Sequence, residues 1–164
     1  MKQLSFFSVC LILHLNVVFG QSPSVNNAQA QEIKRRSELW NSAYNNRDSL
    51  TFYTLFDSLA VLTSAGARRV GLEQCKTICR LQYVSRPDIR WINKATSIEI
   101  NGQWHVAYEI GNWTEDWTES GDTSRSQIKG KYCIMWRFTN SNWVIISGIF
   151  TPLSCTGSYC TKQK

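Results

Sequence analysis

The stretch Ile128–Phe138, IKGKYCIMWRF, decides the fold of this sequence. It begins charged, turns apolar and aromatic, and ends on an arginine between two aromatic residues. Because successive side chains of a β-strand point to opposite faces, this composition predicts one bulky face and one mixed face. The bulky face consists of Tyr132, Ile134, Trp136 and Phe138. Such a strand walls an interior or covers an interface between subunits.

The sequence around this stretch also indicates long antiparallel strands. Residues 89–100, IRWINKATSIEI, predict a strand, and Asn101-Gly102 after it is a strong hairpin signal. Residues 103–117, QWHVAYEIGNWTEDW, alternate in polarity as a half-buried strand does. On the other side of IKGKYCIMWRF, the turn TNSN leads into a last strand, WVIISGIFTPL.

Helical patterns occupy the first half of the chain. Apolar residues at three- and four-residue spacings predict an amphipathic helix over 30–46. Asp48 is a capping residue for a second helix, and Gly71 precedes a third over 72–82. Between them we predict a strand over 58–64 and a turn over AGARRVG. Helices followed by long strands predict an α+β domain with a curved, mainly antiparallel sheet wrapped on helices.

The N-terminus has the features of a cleaved leader. Lys2 precedes an apolar run, and small residues stand before a cut near Gly20, so 1–20 is predicted to be a signal peptide. Residues 21–29 are polar and predicted to be a flexible lead-in, 30–155 form the domain, and 156–164 form a C-terminal tail. We therefore expect a secreted or periplasmic protein without stable membrane insertion after cleavage.

Charge and cysteine content narrow the function classes. The formal net charge is +6, but the basic residues are dispersed, so we expect no nucleic-acid partner. His105 is the only histidine after the leader, so we expect no metal site and no cofactor. An odd number of cysteines follows the leader, and CTGSYC could close a small loop by a disulfide. Cys75 and Cys79 lie one helical turn apart, and Cys133 suits a small buried apolar position.

In their order along the chain, four segments resemble SnoaL-like, nuclear transport factor 2-like domains: ELWNSAYNNRDSLTFYTLFDSLAVLTSAG, RRVGLE, IEINGQWHVAYEIGNW and KGKYCIMWRFTNSNWVII. The resemblance covers about residues 30–152. It implies a cone, in which N-terminal helices pack in the concave face of a strongly curved sheet around an apolar cavity. It also implies a homodimer formed through the sheet, and it leaves the function open, because one fold serves many functions.

Ketosteroid isomerases, which share this fold, use a carboxylate base with an oxyanion hole made by a tyrosine and a protonated aspartic acid. Aligned on Asp48 and on the WRF of the late strand, this sequence has Trp40 near the tyrosine position. Ser64 falls near the base and Ile134 near the second acid. These side chains cannot supply the acid–base chemistry, which argues against that activity.

A different enzyme chemistry would use Glu109. Period-two alternation places His105 and Glu109 on one strand face with Trp113, and a buried Glu109 has a raised pKa suited to a general base. The alternative is that Glu109 pairs with an arginine such as Arg137 or faces solvent, while His105 caps the hairpin. Glu115 lies beside WTESGDTS, which is expected to be an exposed loop rather than a ligand cluster.

The sequence favours a binding domain for a small apolar or amphipathic molecule, or a dimeric accessory module, over a cofactor-independent enzyme of the dehydratase, isomerase or hydrolase type. In the enzyme reading, Glu109 and His105 are the catalytic candidates. The expected ligand-binding side chains are aromatic residues of the interior and one polar residue: Trp40, Tyr44, Tyr53, Asp57, Trp113, Tyr132 and Trp136.

Overall fold

A computed structural model describes residues 23–64 and 67–161. The predicted signal peptide at 1–20 lies outside the described residues. Among the described helices, none is long and apolar enough to cross a membrane.

Four helices and six strands make up the described chain. The helices are α1 (Pro23–Asn45), α2 (Ser49–Tyr53), α3 (Leu72–Ser85) and α4 (Ser158–Thr161). The strands are β1 (Phe56–Ser64), β2 (Ala67–Val70), β3 (Arg90–Asn101), β4 (Val106–Thr118), β5 (Arg125–Thr139) and β6 (Asn142–Thr156).

The six strands form one curled, unclosed sheet in the order β2-β1-β6-β5-β4-β3. Every neighbouring pair is antiparallel except β1 with β6, which is parallel. Register shifts between Ala95 and Ser97 and between Met135 and Trp136 interrupt the ladders, and such bulges bend a sheet. The predicted α+β class with a mainly antiparallel sheet is confirmed.

Helix α1 packs on the sheet through one apolar face. Its buried residues recur at helical spacing and are Ile33, Arg36, Ser37, Trp40, Ala43 and Tyr44. The helix begins at Pro23, so residues expected to be a flexible lead-in are helical.

Two asparagines attach α1 to the edge strand β3. The side-chain amide of Asn41 donates to the carbonyl of Asn93 at 2.9 Å and accepts from its N–H at 2.8 Å. Asn45, one turn later, makes the same pair of bonds with the backbone of Trp91, each of 2.8 Å. Edge strands expose backbone groups that would otherwise remain unpaired, and here the helix pairs them.

The segment before α3 differs from its prediction, whereas the cap of α2 agrees with it. The segment AGARRVG was expected to be a turn, but Ala67–Val70 forms β2, an antiparallel partner of β1, so this prediction is wrong for 67–70, while 65 and 66 lie outside the described residues. A four-residue strand lies below the length at which alternation is readable, so pairing with β1 determines its structure. The cap at Asp48 is confirmed, because its Oδ1 accepts from the N–H of Thr51 at 3.1 Å.

Strands β4 and β5 meet through two reciprocal glycine–aromatic pairs. Gly111 of β4 lies opposite Tyr132, and Trp113 of β4 lies opposite Gly130 of β5. A Cβ on Gly111 would lie 2.8 Å from the Tyr132 ring, and one on Gly130 would lie 2.6 Å from the Trp113 indole nitrogen. Each ring therefore lies across the glycine of the facing strand, an arrangement that a larger residue would prevent.

Gly111→Ala should destabilise the fold strongly. The added methyl would collide with the carbonyl oxygen of Lys94 as well as with the Tyr132 ring, and backbone cannot move aside cheaply. We expect a loss of about 3 kcal/mol in the free energy of unfolding, measured by urea denaturation. Asn112→Ala, on the exposed side of the same strand, is the control and should change it by less than about 0.5 kcal/mol. Equal losses in the two variants would refute the close-approach argument.

Candidate functional site

A cavity of about 670 Å³ opens between the helices and the concave face of the sheet. Small-molecule sites in proteins have volumes of about 300–1,000 Å³, so the cavity is large enough for a ligand. Aromatic side chains from two helices and four strands dominate its wall: Trp40, Tyr44, Phe52, Phe56, Trp91, Trp113 and Phe150.

The aromatic wall is ordered by ring contacts. Trp91 stacks on Trp113 with ring centroids 4.8 Å apart and an angle of 8° between the planes. The Phe150 ring stands edge-on to both, at 5.2 Å and 6.1 Å. Trp40 contacts Phe150 at 5.9 Å from the helix side. Such contacts hold the rings in fixed positions, so the cavity presents a preformed apolar surface.

An ion pair forms a polar part of the cavity wall. Arg86, which follows α3, lies 3.5 Å from the carboxylate of Glu115 on β4. The Arg86 guanidinium also lies over the Trp117 ring at 3.8 Å and near the Tyr159 ring at 5.0 Å. Burial raises the pKa of Glu115, and the positive charges of Arg86 and Arg69 oppose that rise. Arg69 of β2 is the second cation of the wall.

Two free cysteines of α3 also face the cavity. Cys75 and Cys79 lie one helical turn apart, as expected from the sequence, and neither forms a disulfide. Burial raises the pKa of Cys79 to about 12 and also raises that of Cys75. Both are therefore neutral thiols and poor nucleophiles near neutral pH. No group of three His, Cys, Asp or Glu side chains suited to a metal ion occurs among the described residues.

The C-terminal segment forms one side of the cavity mouth. Pro152, Leu153 and Tyr159 contribute to the wall, and the disulfide Cys155–Cys160 closes the segment into a loop, one of the pairings that the sequence left open. The hydroxyl of Ser126 on β5 accepts a hydrogen bond of 3.0 Å from the Tyr159 N–H. The loop is thus attached to the sheet.

Glu109 lies outside the cavity wall, in a closed network between α1 and the sheet. Its side chain is 0% exposed. One carboxylate oxygen accepts from the Ser37 hydroxyl at 2.7 Å and from the Tyr132 hydroxyl at 2.6 Å. The other accepts from the Trp136 indole N–H at 2.9 Å. Burial raises the pKa of Glu109, and these three hydrogen bonds oppose the rise.

The ligand-binding candidates divide into two groups. Trp40, Tyr44 and Trp113 line the cavity. The remaining candidates lie outside its wall: Tyr53, Asp57, Tyr132 and Trp136.

The candidates outside the wall have other contacts. Asp57 accepts from the backbone N–H of Leu59 and from the Arg137 guanidinium, at 2.9 Å and 2.6 Å, so it acts as a turn residue and ion-pair partner. The Lys76 ammonium lies 5.6 Å above the Tyr53 ring. Tyr132 and Trp136 belong to the Glu109 network described above.

The structure separates the two catalytic candidates. His105 is exposed in the turn between β3 and β4, with a φ of 52°, and it is not among the hydrogen-bond partners of Glu109. Strand β4 begins one residue later, at Val106, so the expected common face does not include His105. One alternative in the sequence analysis was an ion pair between Arg137 and Glu109. In the structure, Arg137 pairs with Asp57 instead.

The positions aligned with the isomerase pattern are also separated. Trp40 and Ser64 line the cavity. Ile134 is fully buried in the core and lies outside the cavity wall.

Sequence reasoning did not identify several residues of the cavity wall. Glu115 was expected beside an exposed loop and was not among the expected ligand-binding residues, but it is buried in β4 and lines the cavity. The alternation that places Glu109 and Trp113 inward continues to Glu115 and Trp117, so extending the pattern would have found it. The sequence carries no comparable signal for Arg86, because its position depends on where α3 ends against β4.

Comparisons with known proteins identify the fold. No protein-family model matches the sequence, and no curated protein matches it. Several solved structures do match the fold of this chain. A hexachlorocyclohexane dehydrochlorinase superposes with a TM-score of 0.73 at 12% identity, over 82% of this chain and 92% of that one.

Two further structures support the same assignment. A ketosteroid isomerase-like protein from Erwinia carotovora atroseptica gives a TM-score of 0.66 at 11% identity, over 78% of this chain and 98% of that one. An NTF-2-like protein of unknown function from Shewanella oneidensis gives 0.58 at 16% identity, over 75% and 98%. This chain therefore has the nuclear transport factor 2-like fold that the sequence resemblance implied.

Glu109→Gln should change how stability depends on pH. Because the folded-state pKa of Glu109 is raised, the folded protein holds a proton that the unfolded protein releases. Its contribution to the free energy of unfolding is complete below the unfolded pKa and is lost as pH rises through the folded pKa. Glutamine does not titrate, so the variant should gain stability relative to the wild type as pH rises over this interval. Urea denaturation from about pH 4 to 8 measures the difference.

Glu99→Gln is the matched control, because Glu99 is an exposed carboxylate on β3. It should show no such trend. A Glu109→Gln variant that loses stability relative to the wild type as pH rises would mean that the network holds an ionised carboxylate throughout.

Proposed function

We propose that this protein binds a small, largely apolar molecule inside its cavity and is exported by the leader at its N-terminus. The observation that carries the proposal is an aromatic cavity of about 670 Å³ from which the buried carboxylate Glu109 is excluded. The rings of the wall are already held by one another, so little conformational entropy would be lost on binding.

Catalysis by Glu109 is the alternative, and its geometry gives it less support. A general base must reach the proton that it removes, directly or through one water molecule. Glu109 is 0% exposed and uses both oxygens to accept from three side chains. The dehydrochlorinase and the isomerase-like protein share the fold of this chain at low sequence identity. Their names describe the activities of those proteins and carry no argument about this one.

Filling the cavity should abolish binding. Ile78 of α3 lines the cavity, so Ile78→Trp places a large ring in the ligand space. The neutral dye N-phenyl-1-naphthylamine, whose fluorescence increases in apolar surroundings, is the probe. We expect the wild type to bind it and the variant to lose affinity by about tenfold or more, a loss of ~1.4 kcal/mol.

Leu81→Trp is the control, because Leu81 lies on the same helix but is 56% exposed and outside the cavity wall. It should bind the dye as the wild type does. Equal binding by Ile78→Trp and the wild type would refute binding in the cavity, and circular dichroism checks that each variant is folded.

We also propose that the protein is a homodimer formed through the outer face of the sheet. Ile110, Cys133 and Ile149 lie side by side across β4, β5 and β6 on that face. Ile110 and Ile149 are 41% and 53% exposed, and Tyr108 two residues from Ile110 adds a partly exposed ring. A second copy of this surface would bury the row against itself in a twofold arrangement.

Ile149→Lys should convert a dimer to a monomer, because the substitution places a charge in the centre of the proposed interface. Sedimentation velocity measures the change. Ser124→Lys, in the exposed segment between β4 and β5, is the control and should leave the dimer intact. A monomeric wild type would refute the dimer without affecting the cavity proposal.

A further inference from the structure

We propose that the cavity ligand carries an anionic group, such as the carboxylate of an aromatic or alicyclic acid, and that Arg69 binds this group. The inference rests on the proposed ligand-binding function and specifies the chemical class of the ligand. It follows from the position of Arg69, from its lack of a partner, and from the charge balance of the wall.

The sheet register directs Arg69 into the cavity. Arg69 of β2 lies opposite Leu62 of β1, and residues directly opposite in an antiparallel pair project from the same face. Both side chains line the cavity, as does Ser64, two residues after Leu62. Arg68, the preceding residue, lies opposite Thr63 on the other face and is exposed.

Arg69 has no partner for its charge among the described residues. None of their carboxylates lies within ion-pair distance of its guanidinium, and its buried Nε–H has no hydrogen-bond acceptor. A buried donor without an acceptor costs free energy, more so when it is charged. An anion in the cavity would accept from this guanidinium, which matches a carboxylate by two parallel hydrogen bonds.

The other arginine of the wall is already engaged. Arg86 pairs with Glu115 and lies over the Trp117 ring. The described wall thus holds two guanidinium groups and one carboxylate, which leaves an excess of positive charge. Arg69 lines the same cavity as Cys75, Cys79 and Glu115, and its positive charge opposes the rise in pKa that burial causes in each of them.

The rest of the wall defines the body of the ligand. Trp91, Trp113 and Phe150 present flat apolar surfaces in the same cavity. A flat hydrocarbon body gains from contact with such rings, and a single anionic group supplies orientation. A fully neutral ligand would leave the Arg69 guanidinium unpaired, whereas a polyanion would lack further cations.

Two isosteric probes test the charge preference: naphthalene-2-carboxylate and its neutral analogue naphthalene-2-carboxamide. Tryptophan fluorescence quenching measures both affinities, since Trp40, Trp91 and Trp113 line the cavity. We expect the wild type to bind the carboxylate about tenfold or more tightly than the amide. Arg69→Gln should remove this preference, so that its affinities for the carboxylate and the amide differ by less than about twofold.

Arg68→Gln is the matched control, because it removes the same charge from the neighbouring position on the exposed face. It should retain the preference for the carboxylate. Arg69→Lys, which keeps the charge but loses the paired hydrogen bonds, should give an intermediate preference and replaces Arg69→Gln if that variant does not fold.

The outcomes separate the two proposals. If the wild type binds amide and carboxylate equally, or if Arg69→Gln retains the preference, the anionic-ligand inference is overturned and ligand binding in the cavity stands. If the wild type binds neither naphthalene probe and also fails to bind N-phenyl-1-naphthylamine, both proposals are overturned.

Discussion

The close approach of β4 and β5 at Gly111 and Gly130 determines how the interior is divided. Each glycine allows the facing aromatic ring to lie across the neighbouring strand. The Tyr132 ring extends toward Glu109, and its hydroxyl donates a hydrogen bond to that carboxylate. The Trp113 ring instead stacks on Trp91 in the cavity wall. Two rings side by side on one concave face therefore separate a closed polar network from an open apolar cavity.

The two buried carboxylates of β4 are stabilised in different ways, and the difference determines what the cavity can do. Glu109 accepts from three neutral donors and is closed off from solvent. Glu115 lies in the cavity wall, but it is paired with Arg86. The carboxylate bound by neutral donors is thus closed off from the cavity, and the one in the cavity wall is paired with a cation.

Periodicity in the sequence predicted the elements in which one face is buried along the whole length. The spacing of Trp40 and Tyr44 in α1, and the alternation from Glu109 to Trp113 in β4, both correspond to buried faces. The strand β2 was not predictable in this way, because its structure depends on pairing with β1. For the same reason Arg69, which β2 carries, had no readable signal, although it is central to the charge of the cavity.

The distinction between binding and catalysis depends on which groups reach the cavity rather than on the fold. Solved structures with this architecture include proteins described as a dehydrochlorinase and as ketosteroid isomerase-like, yet they share only 12% and 11% identity with this chain. Among the described residues, the polar groups in the cavity wall include two arginines, two neutral thiols, and a carboxylate in an ion pair. Burial raises the pKa of Glu115, and the positive charge of Arg86, which lies 3.5 Å from one of its oxygens, opposes that rise. The Arg69 guanidinium, which has no ion-pair partner among the described residues, would instead stabilise the proposed anionic ligand in its ground state, and such an interaction favours binding without favouring a reaction.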